Sequence, residues 1–76
     1  MAEIRHIVGT QIPADGEYLL LARGLERDTY EVSAQLQNRP TSFRRKTVHG
    51  SPHEARKVAQ QIATNLEVPV IYEVAS

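Results

Sequence analysis

The stretch SPHEARKVAQQIATNLE, residues 51–67, contains the strongest structural signal in the chain. Ser51 is a favoured helix N-cap, because its hydroxyl can accept a hydrogen bond from a backbone N–H that has no partner within the helix. Proline at the next position costs no hydrogen bond, and Glu54 completes a capping box by reaching back to the Ser51 amide. The stretch therefore predicts an α-helix from Pro52 to Glu67.

One face of this predicted helix is apolar. The apolar residues recur at positions i, i+3, i+4, i+7, i+8 and i+11, which places them in a single stripe along the helix. They are Ala55, Val58, Ala59, Ile62, Ala63 and Leu66. Because three of the six are alanines, the helix can lie close to a β-sheet. Pro69 disfavours helical geometry at Val68, so the helix is expected to end just before it.

Segments on both sides of the helix have patterns typical of β-strands. The clearest is residues 29–37, where Tyr30, Val32, Ala34 and Leu36 alternate with polar residues. A period of two is expected of a strand with one buried face, so these four residues should form the sheet surface that the helix covers. The other predicted strands are 3–8, 17–23 and 43–49 before the helix and 70–74 after it.

Short connections separate the first four predicted strands, so we expect them to form an antiparallel meander. The predicted fold is α+β with the order β-β-β-β-α-β, in which one amphipathic helix packs on one face of a small antiparallel sheet. The segment 17–23 has apolar residues on both faces, which indicates a central strand. The last segment, 70–74, is short and apolar, and we expect its edge to be available for pairing with another chain.

Length and composition exclude several classes of protein. The chain has 76 residues, of which 41% are hydrophobic, so it can form one small core and is expected to be a single domain, 1–76. Disulfide scaffolds and thiol catalysis are excluded because there is no cysteine. No run approaches the ~20 apolar residues of a membrane span, and none has the length of a secretory signal. We expect a complete cytoplasmic protein that does not contact membranes.

No motif in the sequence predicts catalysis or metal binding. His49 and His53 have the spacing of two zinc ligands on one helix, but the predicted helix begins only after His49. The segment 50–53 places a serine near a histidine without the flanking glycines of a nucleophile elbow. We therefore predict that the protein is not an enzyme, with no catalytic residue, metal ion, cofactor or small-molecule substrate.

The formal net charge of zero conceals a basic middle segment. Residues 39–57 contain six cations and one carboxylate, so their net charge is +5 and that of the rest of the chain is −5. Strand alternation places Arg44 and Lys46 on one face and Arg45 on the other, where they can bind a polyanion or pair with neighbours such as Glu31. The candidate binding residues for nucleic acid or an acidic partner are Arg39, Arg44, Arg45, Lys46, Arg56 and Lys57.

Two functions of different classes are compatible with the sequence. The first is a small non-enzymatic module that binds another protein or itself, most simply as a homodimer, because a small sheet needs cover for its edges. The alternative is binding of RNA or DNA through residues 39–57. Residues 30–66 resemble the second half of a double-stranded-RNA-binding domain, although residues 3–23 are strand-like where that family has a helix. Salt dependence separates the two functions, because phosphate contacts weaken steeply with salt.

Overall fold

The computed structural model describes residues 1–37, 43 and 45–75. A short 3-10 helix, Gly9–Gln11, follows the first strand. The other elements of the described residues are β1 (Glu3–Val8), β2 (Tyr18–Arg23), β3 (Thr29–Gln35), β4 (Arg45–His49), α1 (Pro52–Leu66) and β5 (Val70–Ala75). The predicted α+β class and the order β-β-β-β-α-β are confirmed, and most predicted bounds lie within two residues of those observed.

Helix α1 begins where the sequence predicts. The Glu54 amide donates a hydrogen bond of 3.2 Å to the Ser51 hydroxyl, which confirms the N-cap. The reciprocal bond of a capping box, from the Ser51 amide to the Glu54 side chain, is not formed within the described part of the chain. The helix ends one residue earlier than predicted, because Glu67 adopts a left-handed conformation with φ 57°. There the Val68 amide donates to the Ala63 carbonyl at 2.9 Å and closes the helix end.

The strand order differs from the predicted meander. The sheet has the order β1-β5-β2-β3-β4, and only β2, β3 and β4 form an antiparallel meander. Strand β5 lies between β1 and β2 and is parallel to both. The prediction that β1 joins the meander is therefore wrong. Residues 9–17 are long enough to carry the chain from the end of β1 back to the beginning of a parallel strand, so they do not form a hairpin.

Two crossover connections cover the two faces of this sheet. Helix α1 connects β4 to β5, and residues 9–17 connect β1 to β2 in the opposite direction across the sheet. Because crossovers between parallel strands are right-handed, the two connections lie on opposite faces. Consistent with this, the Tyr18 hydroxyl donates to the Pro13 carbonyl at 2.6 Å, and the Tyr18 ring meets Tyr72 edge-on at 5.2 Å. We call the two sides of the sheet the helix face and the loop face.

The main core lies between the helix face and α1. Leu19, Val32 and Ile71 are the largest side chains that are fully buried, and they come from the three middle strands. They pack against a row of small residues that lets α1 approach the sheet closely. These small residues are Ala55, Ala59 and Ala63. The predicted contact between the alanine stripe of the helix and the apolar face of β3 is confirmed.

The position of β5 makes the edge strands of the sheet different from those that the sequence predicts. The expectation that β5 has an edge available for pairing is wrong, because β5 forms hydrogen bonds to β1 on one side and to β2 on the other. The sheet instead has β1 and β4 at its edges. No helix in the described residues is long and apolar enough to cross a membrane.

Candidate functional site

The structure describes four of the six basic candidate residues; Arg39 and Arg44 lie outside the described residues. Arg45 and Lys46 are neighbours in β4 and point to opposite faces of the sheet. Lys46 is opposite Val32 in the register, which places it on the helix face. Arg45 is on the loop face, where a terminal guanidinium nitrogen is 3.9 Å from a carboxylate oxygen of Glu31. Both side chains are largely exposed.

Arg56, one of the predicted binding residues, contacts the sheet. Its Nε and one terminal nitrogen donate hydrogen bonds of 2.6 and 2.9 Å to the two carboxylate oxygens of Glu73 on β5. His6 Nδ1 is 3.4 Å from the same carboxylate. The hydrogen bonds from Arg56 hold the pKa of Glu73 below its ordinary value. This bidentate pair ties the beginning of α1 to the centre of the sheet.

The described cations therefore do not lie on one surface. Strand β4 is three strands away from β5, which corresponds to about 14 Å at the usual strand spacing. Arg56 over β5 is thus remote from Lys46 on β4, and it is already paired with a carboxylate. Lys57 is exposed on the helix. Arg45 and Lys46 are the basic candidates that the structure describes on an edge strand, and they define the candidate site on β4.

The outer edge of β4 has a row of unpaired backbone groups. The Gly50 amide donates a hydrogen bond to the Asp28 carbonyl at 2.9 Å. In an antiparallel ladder every second residue faces the same neighbouring strand, so Val48 and Lys46 also direct their N–H and C=O groups toward β3. The residues between them direct both N–H and C=O outward, and no hydrogen bond reaches these six groups from any described residue. The outward residues are Arg45, Thr47 and His49.

The other edge, β1, is closed at both ends by glutamine side chains. Gln60 of α1 accepts a hydrogen bond from the Ala2 amide at 3.0 Å and donates one to the Ala2 carbonyl at 2.9 Å. Gln11 accepts a bond of 3.0 Å from the Val8 amide at the other end. Of the outward residues within β1, only Ile4 and His6 then have both backbone groups without a partner in the described residues. An added strand would find a shorter open ladder here than on β4.

A second candidate site is a cleft of about 320 Å³ between the first turns of α1 and the ends of β2 and β5. Its wall includes Arg23, whose guanidinium carbon lies 5.8 Å from the centre of the Tyr30 ring. The Arg56–Glu73 pair forms another part of the wall. Arg23 and Tyr30 were not among the predicted site residues, because the strand order that brings them to Arg56 and Glu73 was not predicted.

Metal binding has no support within the part of the chain that is described. No group of three or more histidine, cysteine, aspartate or glutamate side chains there is arranged to hold a metal ion.

Comparison with known proteins does not assign this chain to a family. No protein family, curated protein or solved structure matches it.

Proposed function

We propose that the protein is a non-enzymatic binding module that adds an extended, acidic segment of a partner protein to its sheet along β4. The observation that supports this function is the set of six backbone groups on the outer edge of β4 that have no hydrogen-bond partner among the described residues. Strand addition uses such groups for affinity and the alternating side chains of the edge for specificity.

The charge of β4 argues for an acidic occupant. The strand contains Arg45 and Lys46 and no carboxylate, so an added strand meets a cation on each face of the sheet. The only ion pair of Arg45 among the described residues, with Glu31, is long at 3.9 Å and exposed, and it contributes little. A partner with glutamate or aspartate beside both cations would replace it with closer contacts.

The same charge argues against a second copy of this chain as the occupant. Pairing β4 with another β4 would bring four cations into one short ladder that contains no carboxylate to offset them. Exposed lysine and arginine on an edge strand are a common means of preventing such self-pairing.

The test is a titration of the 15N-labelled protein, followed by NMR, with an acidic peptide in which two glutamates alternate with two valines, so that an added strand has glutamate on both faces of the sheet. We expect chemical-shift changes concentrated on β4 and slower exchange of the Arg45, Thr47 and His49 amides, since each would gain an acceptor. A peptide in which two lysines alternate with two valines is the charge control and should not bind. Shifts of equal size with both peptides, or shifts away from β4, would contradict the proposal.

Two variants at one position isolate the contribution of the backbone. Thr47→Pro removes an outward N–H and leaves the bonds between β3 and β4 intact, because proline is tolerated on edge strands when its nitrogen faces solvent. We expect it to weaken peptide binding, whereas Thr47→Val, which keeps the N–H, should bind as the original chain does. RNA or duplex DNA that binds at low salt, equally well to both variants, would instead support the nucleic-acid alternative.

A further inference from the structure

The cleft beside α1 combines cationic and apolar walls. Its cationic groups are the guanidinium groups of Arg23 and Arg56, and its single carboxylate is that of Glu73. Glu73 is already neutralised by two hydrogen bonds from Arg56. The remaining charge of the lining residues is the positive charge of Arg23, which forms no ion pair with any described residue. An anion that enters the cleft therefore meets one free guanidinium.

Tyr30 lines the cleft together with the two arginines. The Arg23 guanidinium carbon lies over its ring at 5.8 Å from the centre, and no hydrogen bond to its hydroxyl is formed by the described residues. A phenol hydroxyl is both a donor and an acceptor and usually finds a partner when it is partly buried. In this cleft it can donate to an anion that Arg23 also contacts.

The rest of the lining is suited to a carbon skeleton. Pro52 and Ala75 contribute apolar surface, and the almost fully buried Leu21 also lines the cleft. The volume of about 320 Å³ is at the lower end of the range typical of small-molecule sites. A ligand for this cleft therefore needs a compact apolar body and one anionic group.

We propose that the cleft binds a small organic carboxylate, with its carboxylate on Arg23 and the Tyr30 hydroxyl and its apolar body against Leu21 and Pro52. A guanidinium binds a planar carboxylate through two parallel hydrogen bonds, which favours this anion over a spherical one. The carboxylate can belong to a free acid or to the C-terminus of a peptide. The site does not include β4, so it stands or falls separately from the proposed strand addition.

The experiment uses the complete chain, labelled with 15N, and two carboxylate probes. Cyclohexanecarboxylate represents a free acid, and N-acetyl-alanyl-leucine represents a peptide C-terminus. The neutral control is cyclohexanecarboxamide, which has the same apolar body. We expect at least one carboxylate to shift the amide signals of residues 21–23, 30 and 73–75, and the amide control to bind at least about tenfold more weakly, because a charge-assisted bond is lost. The probe that binds more tightly identifies the source of the carboxylate.

Variants locate the site. Arg23→Gln is expected to weaken carboxylate binding about tenfold or more and to leave the rest of the spectrum unchanged, since Arg23 is exposed and its replacement should not unfold the chain. Arg27→Gln, which removes an exposed arginine from the neighbouring hairpin, is the matched control and should not change binding. The proposal is overturned if neither carboxylate shifts the cleft residues, if the neutral amide binds equally well, or if Arg27→Gln has the same effect as Arg23→Gln.

Discussion

At the scale of single residues, Ser51 has a role in folding that one substitution can measure. Its hydroxyl accepts from the Glu54 amide at 3.2 Å, and Ser51→Ala leaves that amide without this acceptor. We expect a loss of about 0.5–2 kcal/mol in the free energy of unfolding. In a domain of this size each kcal/mol lowers the melting temperature by about 4–8 °C, which thermal unfolding followed by circular dichroism can detect.

The control for this prediction is Ser51→Asp, since aspartate is an equally good N-cap. We expect it to retain most of the stability that alanine loses. If the aspartate variant melts as low as the alanine variant, the hydroxyl does not act as a cap.

Glu73 is the residue whose protonation should influence stability. Hydrogen bonds from Arg56 lower its pKa below the ordinary value of 4.5. A carboxylate with a depressed folded pKa stabilises the fold above the unfolded pKa, and this contribution is lost as the pH falls through the folded pKa. We therefore expect Glu73→Gln to be less stable than the original chain at neutral pH, with the difference shrinking below about pH 4.5.

Urea unfolding from about pH 7 to about pH 3 measures this difference. Asp15→Asn is the matched control, because Asp15 lies in a turn and has no ion pair within the described residues. If the original chain and Glu73→Gln differ by the same amount at every pH, the Arg56–Glu73 pair does not contribute in the way the geometry indicates.

At the scale of elements, the β1 edge depends on a side chain from α1. Gln60 forms two hydrogen bonds to the backbone of Ala2 and so completes the ladder where β1 begins. Gln60→Ala removes both, at a cost of about 0.5–1.5 kcal/mol for each bond. We expect a lower urea midpoint and faster amide exchange along β1.

Gln61 provides the comparison for this element. Its side-chain amide bonds only to Asn65 of the same helix among the described residues, at 3.2 Å and on the exposed side. Gln61→Ala should therefore leave both the urea midpoint and the exchange of β1 nearly unchanged. Equal effects of the two variants would mean that the Gln60 contact with Ala2 does not stabilise β1.

The individual elements could be predicted from the sequence because their signals are local. Ser51 and Pro52 define the beginning of α1, and alternation defines β3, with no need to know what either packs against. The partner of β1 could not be predicted, because its pairing with β5 joins Glu3 to Val70 across nearly the whole chain. Apolar residues on both faces of β5 indicate a central strand. The same pattern in residues 17–23 predicted a central position for β2.

The candidate sites also combine features that depend on local sequence patterns with features that depend on the order of the strands. Strand parity correctly placed Arg45 and Lys46 on opposite faces, because parity requires no knowledge of the neighbouring strand. The Arg56–Glu73 pair and the cleft depend on β5 lying beside β2, and the unpaired groups of β4 depend on its position at the edge. Both facts are properties of the sheet order, which local patterns do not contain.

At the scale of the whole molecule, the two edges of the sheet are protected by different means. The β1 edge is shortened by side-chain hydrogen bonds from Gln60 and Gln11. The outward backbone groups of β4 have no partner among the described residues, and charged side chains such as Arg45 and Lys46 are a common means of preventing pairing at such an edge. The homodimer was expected because terminal strands at both chain ends leave sheet edges unpaired. Of these two strands, β5 is central and β1 has a short open ladder, so backbone pairing between two copies would find its longest open ladder on β4.

We expect the charges of β4 to prevent that association, so removing them should reveal it. The double variant Arg45→Thr with Lys46→Thr keeps the outward backbone N–H and C=O groups at positions 45, 47 and 49, and threonine favours β-structure. An antiparallel pairing of two β4 strands would then satisfy these groups symmetrically, as isologous dimers do. Sedimentation velocity at micromolar to millimolar concentrations should show a monomer of 8.5 kDa for the original chain and a dimer for the variant.

The matched control moves the same change to the other edge. Arg5→Thr with His6→Thr also removes polar side chains from an edge strand, but the glutamine bonds at Ala2 and Val8 still shorten the open ladder. This variant should remain monomeric. A dimer of the original chain at low micromolar concentration would show that Arg45 and Lys46 do not prevent pairing, and dimers of both variants would show that the glutamines do not protect β1. A dimer that forms only when β4 has lost its cations would show that these cations exclude a second copy of the chain. The same cations are the groups that should favour an acidic strand at that edge.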